Sequence, residues 1–323
     1  MADARARPLI RAQGDPHAQG DSRAQGDAND PTRGLLMGMV AVAIFALGVP
    51  MTRLATGTVG APQLAGAFVA FGRAVVAGSL SVTYLLATRS PRPTRADRFP
   101  LAVVSLGSVI VFPLAMSVAL QYVESTHVSA MLGFAPLATA VVAARVNRQS
   151  QPGGFWAMAV LGSLLVVAYP FVKAGAAGVD GFSVADVILL AAVVVAAFAT
   201  VYGARLARTM PSQLVASWSV ALALPATIPL AILTWPEAPV TAAAWSGLLY
   251  VGVGTMWAGA LLWYRALATG GTVRVSQLIL VQPILGMLFA VPVLGEAVDA
   301  VTAVFGVAII ATVFAGRRFA SRG

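Results

Sequence analysis

The sequence has no cysteine, two histidines and only 10% charged residues, and each shortage removes a class of function. Without thiols there are no disulfides, no thiolate zinc or iron–sulfur sites and no cysteine nucleophile. His17 lies in a polar leader, which leaves His127 alone in the apolar region, too few ligands for a bis-histidine haem or a histidine zinc site. No nucleophile–base pair, metal set or cofactor motif assembles from the rest, so the chain reads as a non-enzyme that needs no cofactor. Acidic residues are also scarce, 12 against 21 basic ones, giving a formal net charge of +9. The basic residues form short clusters between apolar runs, which assigns them to orientation in a membrane and not to nucleic acid.

What the chain has instead is hydrocarbon. It is 59% hydrophobic with a mean hydropathy of +0.84, more than a water-facing surface tolerates, so lipid is its main solvent. From Gly34 onward, apolar runs near the roughly 20 residues that cross a ~30 Å hydrocarbon core recur at 34–53, 63–87, 100–120, 126–145, 155–172, 183–204, 212–234, 243–264, 273–294 and 298–316. A transmembrane barrel would show shorter alternating segments. The expected fold is therefore an all-α membrane protein with ten transmembrane helices. Residues 1–33 precede them, with the near-repeats Arg11-Ala-Gln-Gly-Asp15, His17-Ala-Gln-Gly-Asp21 and Arg23-Ala-Gln-Gly-Asp27. Five arginines balance five aspartates there, the pattern of a disordered, solvated tail.

Basic residues set the orientation. With a cytoplasmic N-terminus, the tail, Arg89/92/95/98, Arg145/148, Arg205/208, Arg265/274 and Arg317/318/322 fall inside, 18 of the 21 basic residues. Arg53 and Lys173 fall outside, and Arg73 lies within a helix. Both termini are expected in the cytoplasm, with 318–323 a short C-terminal tail. Trp235 and Trp245 flank the seventh and eighth helices, where indole rings anchor at the outer interface.

The two halves echo one another. Ala119-Leu120 and Val128-Ser129 match Ala266-Leu267 and Val275-Ser276, and Pro136 matches Pro283, all at an offset of 147. Phe45-Ala46 with Arg53-Leu-Ala55 likewise matches Phe198-Ala199 with Arg205-Leu-Ala207 after a one-residue gap. Five helices per half is an odd number, so the second half enters the membrane in the opposite sense. The expected organisation is two inverted five-helix repeats, 34–175 and 176–317. Transporters use this architecture, with a site near the bilayer midplane and alternating access by relative motion of the halves.

Several segments then resemble the EamA-type branch of the drug/metabolite transporter superfamily: Phe45 to Leu54, Phe71-Gly-Arg73-Ala, Ala119-Leu-Gln-Tyr-Val with Pro136, Asp186-Val-Ile-Leu-Leu, Tyr264-Arg-Ala-Leu267, and Pro283 through Leu294-Gly-Glu296. Asn147-Arg-Gln149 departs from that pattern, standing where the first half would repeat Leu-Gly-Glu. The resemblance implies a secondary carrier of small organic metabolites, amino-acid-like or related, commonly an exporter of the bacterial inner membrane. Two other readings stand beside it: a lipid-linked sugar flippase, and a non-transporting membrane receptor or structural protein.

Five residues are candidate substrate contacts. Arg73 lies about 15 Å into its helix, where an arginine must face protein or water and either attract an anionic solute group or tie helices together. Gln282, beside Pro283, offers an amide next to an interrupted backbone. Trp257 is too deep for an interfacial belt and suits stacking on a solute or packing. Gln277 and Tyr202 lie nearer the cytoplasm. Asp186, three residues after Ser183, suits a helix N-terminal cap, and Glu124, Glu296 and Asp299 fall at helix ends. Gly34-x-x-x-Gly38 and Gly66-x-x-x-Ala70 suit close helix packing, within the chain or in a homodimer.

Overall fold

The computed structural model describes residues 31–148, 152–177, 183–270, 275 and 277–320, and within them the chain is a helical bundle. Among the described residues, eight helices are long and apolar enough to cross a membrane. They are α1 (Pro31–Thr56), α2 (Gly66–Ala87), α3 (Arg98–Ala119), α4 (Ser125–Val146), α5 (Gly153–Ala177), α6 (Val184–Leu206), α7 (Ser212–Leu233) and α8 (Ala242–Gly270). Two shorter apolar helices follow, α9 (Gln282–Leu294) and α10 (Ala300–Ala320). Because lipid satisfies no backbone group, helices of this length with internally paired amides are what an apolar chain adopts there. The protein is a multi-pass α-helical membrane protein.

Most boundaries fall within a few residues of the hydropathy reading; the exceptions have local causes. Helix α1 is already helical at Pro31, the first described residue, three residues inside the expected tail. Helix α5 runs past Lys173, expected in a loop, because that ammonium meets Glu124 at 3.0 Å and Asp299 at 3.3 Å and needs no exit into water. A two-strand hairpin pairs Gly57 with Pro62 and Thr58 with Ala61 between α1 and α2, and hydropathy does not announce it. The expected 273–294 helix is interrupted instead of continuous: a 3₁₀ turn, Gln277–Val281, leads into α9. Pro283 thus occupies the first α-helical turn, where a missing N–H costs no intrahelical bond, and Pro136 does the same for the second part of α4, Ala135–Val146.

Helix neighbours follow a regular scheme. Helix α1 packs on α8 and α9, while α6 packs on α3 and α4; α2 meets α7, α4 meets α9, and α5 meets α10. Both α3 and α8 contain π-helical stretches, Ser105–Val111 and Tyr250–Gly259.

The glycine motifs are spent on these contacts. A Cβ on Gly34 would lie 2.1 Å from the Gly270 Cα, so α1 and α8 touch backbone to backbone, and one on Gly66 would lie 2.9 Å from the Ser117 carbonyl carbon of α3. Gly34→Val should therefore lower the unfolding temperature of the purified protein clearly, overpacking of this kind costing about 1–3 kcal/mol or more. Gly60→Ala, with open space around its Cβ, should leave it unchanged. Equal melting temperatures for both variants in detergent would refute the close approach.

Candidate functional site

Arg73 is buried on α2, 7% exposed. Its Nη2 donates to Thr255 Oγ1 on α8 at 2.7 Å, and that hydroxyl in turn donates to the Val251 carbonyl at 2.6 Å. Among the described residues, Arg73 Nε and Nη1 have no hydrogen-bond partner. Thr255 belongs to the π-helical stretch of α8, whose wider turn sets the placement of its side chains. Such turns recur at functional positions. Trp257 follows two residues later and packs beside a cluster of Ala74 and Ala77 from α2, Val109 from α3, and Val220 and Ala223 from α7. Its indole Nε1 is buried without a partner. The seam of α2 and α8 thus gathers a guanidinium with two free donor nitrogens, a hydroxyl and an unpaired indole N–H.

The other candidates stand on other elements. Gln282 is half-buried at the start of α9, which packs on α1 and α4. Tyr202 on α6 packs against a cluster of Leu101, Val104, Leu206 and Val215, with its ring edge-on to Phe99 and the Arg205 guanidinium 5.4 Å from its centre. Gln277 opens the 3₁₀ turn, and its side chain lies outside the described residues.

At the face bearing Lys173, polar groups from both halves interlock. Ser183 and Asp186 form the expected capping box at the start of α6: Ser183 N and Oγ donate to Asp186 Oδ2 at 2.8 and 2.7 Å. Asp186 Oδ1 also lies 2.7 Å from His127 Nε2 on α4, a buried pair that the sequence reading missed. The His127 ring lies against Tyr169, whose hydroxyl bonds Thr302 Oγ1 at 3.0 Å. Glu296 does not cap its own helix; its carboxylate accepts from Ser125 N, Ser125 Oγ and Thr126 N at 2.9–3.0 Å, closing the N-terminus of α4. Arg53 closes the other side of that turn by donating to the Leu120 and Val123 carbonyls. Asp299 accepts from Thr302 N and Oγ1 and caps α10. On the arginine-rich face, Asn147 Oδ1 accepts from Arg205 Nε and Nη2 at 3.1 and 2.9 Å, which gives the divergent Asn147 a structural role.

The missed His127–Asp186 pair had a partial signal. Both residues stand in the first turns of helices that enter from the same side, so topology puts them in one layer, but only packing makes them partners. Removing one member of a buried hydrogen-bonded pair leaves the other unsatisfied, at a cost of about 1–3 kcal/mol and more for a charged group. His127→Ala should therefore lower thermal stability strongly, and His127→Gln, which keeps a donor for Asp186, should recover much of it. Thermal unfolding of both variants checks this, and an unaffected alanine variant would contradict the pair.

Comparison with known proteins agrees with the bundle. The EamA-like transporter family model matches residues 183–315. An uncharacterized transporter of Bacillus subtilis (strain 168), YdeK, is 36% identical over 294 residues, covering 90% of this chain and 99% of that protein. A solved crystal structure superposes with a TM-score of 0.59 at 19% identity, covering 91% of this chain and 99% of its own, a likeness of fold alone. A membrane transporter's relations to a small-molecule substrate and to lipid follow from that kinship. The identity to YdeK along nearly the whole chain, with the family match over the second half, shows that the chain belongs to the EamA-like transporters of the drug/metabolite transporter superfamily.

Proposed function

We propose that the chain is a secondary transporter that exports small, amino-acid-like metabolites bearing a carboxylate and an apolar body across the bacterial inner membrane. The observation that carries this reading is the unsatisfied guanidinium. An ionised group buried in a membrane protein without full pairing is costly, so two unpartnered Arg73 nitrogens mark a place where an anionic solute would be favoured. Trp257 supplies an apolar face and an unpaired N–H beside the same seam. Gln282 would contact the solute from α9.

Transport works here by alternating access between two inverted repeats, 34–175 and 176–317, with ten crossings and both termini cytoplasmic. The neighbour scheme supports this reading: exchanging each helix for its counterpart five places on turns the α1 contacts with α8 and α9 into the α6 contacts with α3 and α4. The paired π-helical stretches of α3 and α8 and the paired first-turn prolines of α4 and α9 support it too. Because Arg73 belongs to one repeat and Thr255 to the other, relative motion of the repeats would change what the guanidinium meets.

Reporter fusions after Lys173 and after Arg318 test the topology, with the first expected outside and the second inside. Matching sides would overturn the five-plus-five arrangement. For the site, a thermal-shift screen of carboxylates against their amides should find carboxylate ligands that raise the melting temperature. Arg73→Gln should weaken such a ligand roughly 10- to 100-fold through the lost charge-assisted bonds, and Trp257→Phe and Gln282→Ala should weaken it less. Unchanged affinity and flux in all three variants at matched folded yield would move the site elsewhere.

A further inference from the structure

A groove of about 780 Å³ runs between α3 and α7; its inner wall reaches Ala223 of the cluster beside Trp257, and the substrate reading makes no use of the rest of its length. Its walls are apolar along most of their length, with Leu106 and Ile110 from α3 and Leu222 and Ala226 from α7. Leu106 and Leu222 are 57% and 49% exposed, which places the groove at the outer surface of the bundle, where lipid chains lie. One end is different: Arg92, Pro93 and Arg98 line it, and Trp218 stands beside them. The Trp218 Nε1 donates to the Pro91 carbonyl at 3.1 Å, so the indole ties α7 to the loop carrying the arginines and fixes that end of the groove.

The charge of this loop is one-sided. Arg89, Arg92, Arg95 and Arg98 recur every third residue, against the single acid Asp97. That acid is already engaged: Thr94 donates to it from Oγ1 and N at 2.6 and 2.9 Å, which holds its carboxyl below the usual range. Arg92 and Arg98 are both exposed, Arg98 at the first residue of α3 and Arg92 just before it, while the apolar walls run along the span of α3 and α7.

We propose that this groove is a binding site for one anionic phospholipid of the surrounding membrane, with the phosphate headgroup held by Arg92 and Arg98 and an acyl chain lying between α3 and α7. The two chemistries are stacked in the order a phospholipid presents them, charge at the surface and hydrocarbon below. A soluble anion would use the arginines and leave the apolar walls bare; a neutral lipid would use the walls and leave the arginines unmatched. Basic residues immediately flanking membrane helices attract anionic headgroups, and an indole at that level suits the interface. Since α3 and α7 belong to different halves of the chain, the bound lipid bridges them.

Native mass spectrometry of the full-length protein in detergent tests the proposal, with dioleoyl phosphatidylglycerol and dioleoyl phosphatidylcholine titrated separately. The chains of these probes are identical, so a difference reports the headgroup. The expected result is tighter binding of phosphatidylglycerol by roughly 30-fold, the factor two interfacial arginines supply. Arg92→Ala with Arg98→Ala should erase the preference, whereas Arg95→Ala, on the same loop but outside the groove, should keep it. Ala226→Trp, which fills the apolar part, should weaken phosphatidylglycerol binding with all arginines present. No headgroup preference, a preference that survives the double variant, or full binding by Ala226→Trp would each overturn the site. Circular dichroism and melting temperature of each variant separate loss of the site from loss of the fold.

Discussion

A hydrocarbon solvent offers no hydrogen bonds, and the polar architecture of this chain follows from that constraint. Backbone groups are paired inside helices, and the few polar side chains must find one another across the bundle. His127 finds Asp186, Glu296 finds the amides of Ser125 and Thr126, and Lys173 finds Glu124 and Asp299. All of these except the Lys173–Glu124 pair join the first half of the sequence to the second. Polar residues here are therefore fasteners between halves more than decorations of either. Arg73 is paired only in part among the described residues, since its one bond to Thr255 leaves Nε and Nη1 unused.

Much of the fold was legible because membrane helices announce themselves locally. An apolar run of the right length needs no tertiary information, and the expected 212–234 and 126–145 helices became Ser212–Leu233 and Ser125–Val146. The Ser183–Asp186 cap was legible for the same reason, since both partners lie within one turn. What escaped was non-local. Glu296 reads as an ordinary helix-end acid until α4 is placed beside it, and His127 reads as a solitary histidine until α6 is. The hairpin at Gly57–Pro62 escaped because two residues per strand carry no periodicity.

The candidate site was half legible. Depth along α2 singled out Arg73, because insertion cost depends on sequence position alone. Its neighbour Thr255 gave no such sign: hydroxyls bond their own helix backbone at little cost and are common in apolar helices, as Thr52, Thr139 and Thr227 show. The π-helical stretch that carries Thr255 is also invisible to hydropathy, since it changes the pitch of the backbone and not its composition. Arg73 and Trp257 come from helices 182 and more residues apart, and only the packing of α2 on α8 makes them one seam.

The trans cap by Glu296 has a consequence for how the Lys173-bearing face can open. The first amides of α4 have no intrahelical partner, and they rely on a carboxylate delivered from the far half of the chain. Any motion that draws the halves apart there strips both the helix end and the carboxylate at once, and hydrocarbon can replace neither. Water must enter as the gap forms. Under the proposed alternating access, an opening of this face would be a wetting transition as much as a rigid-body one, and its balance would respond to water activity, with excluded osmolytes favouring the closed arrangement.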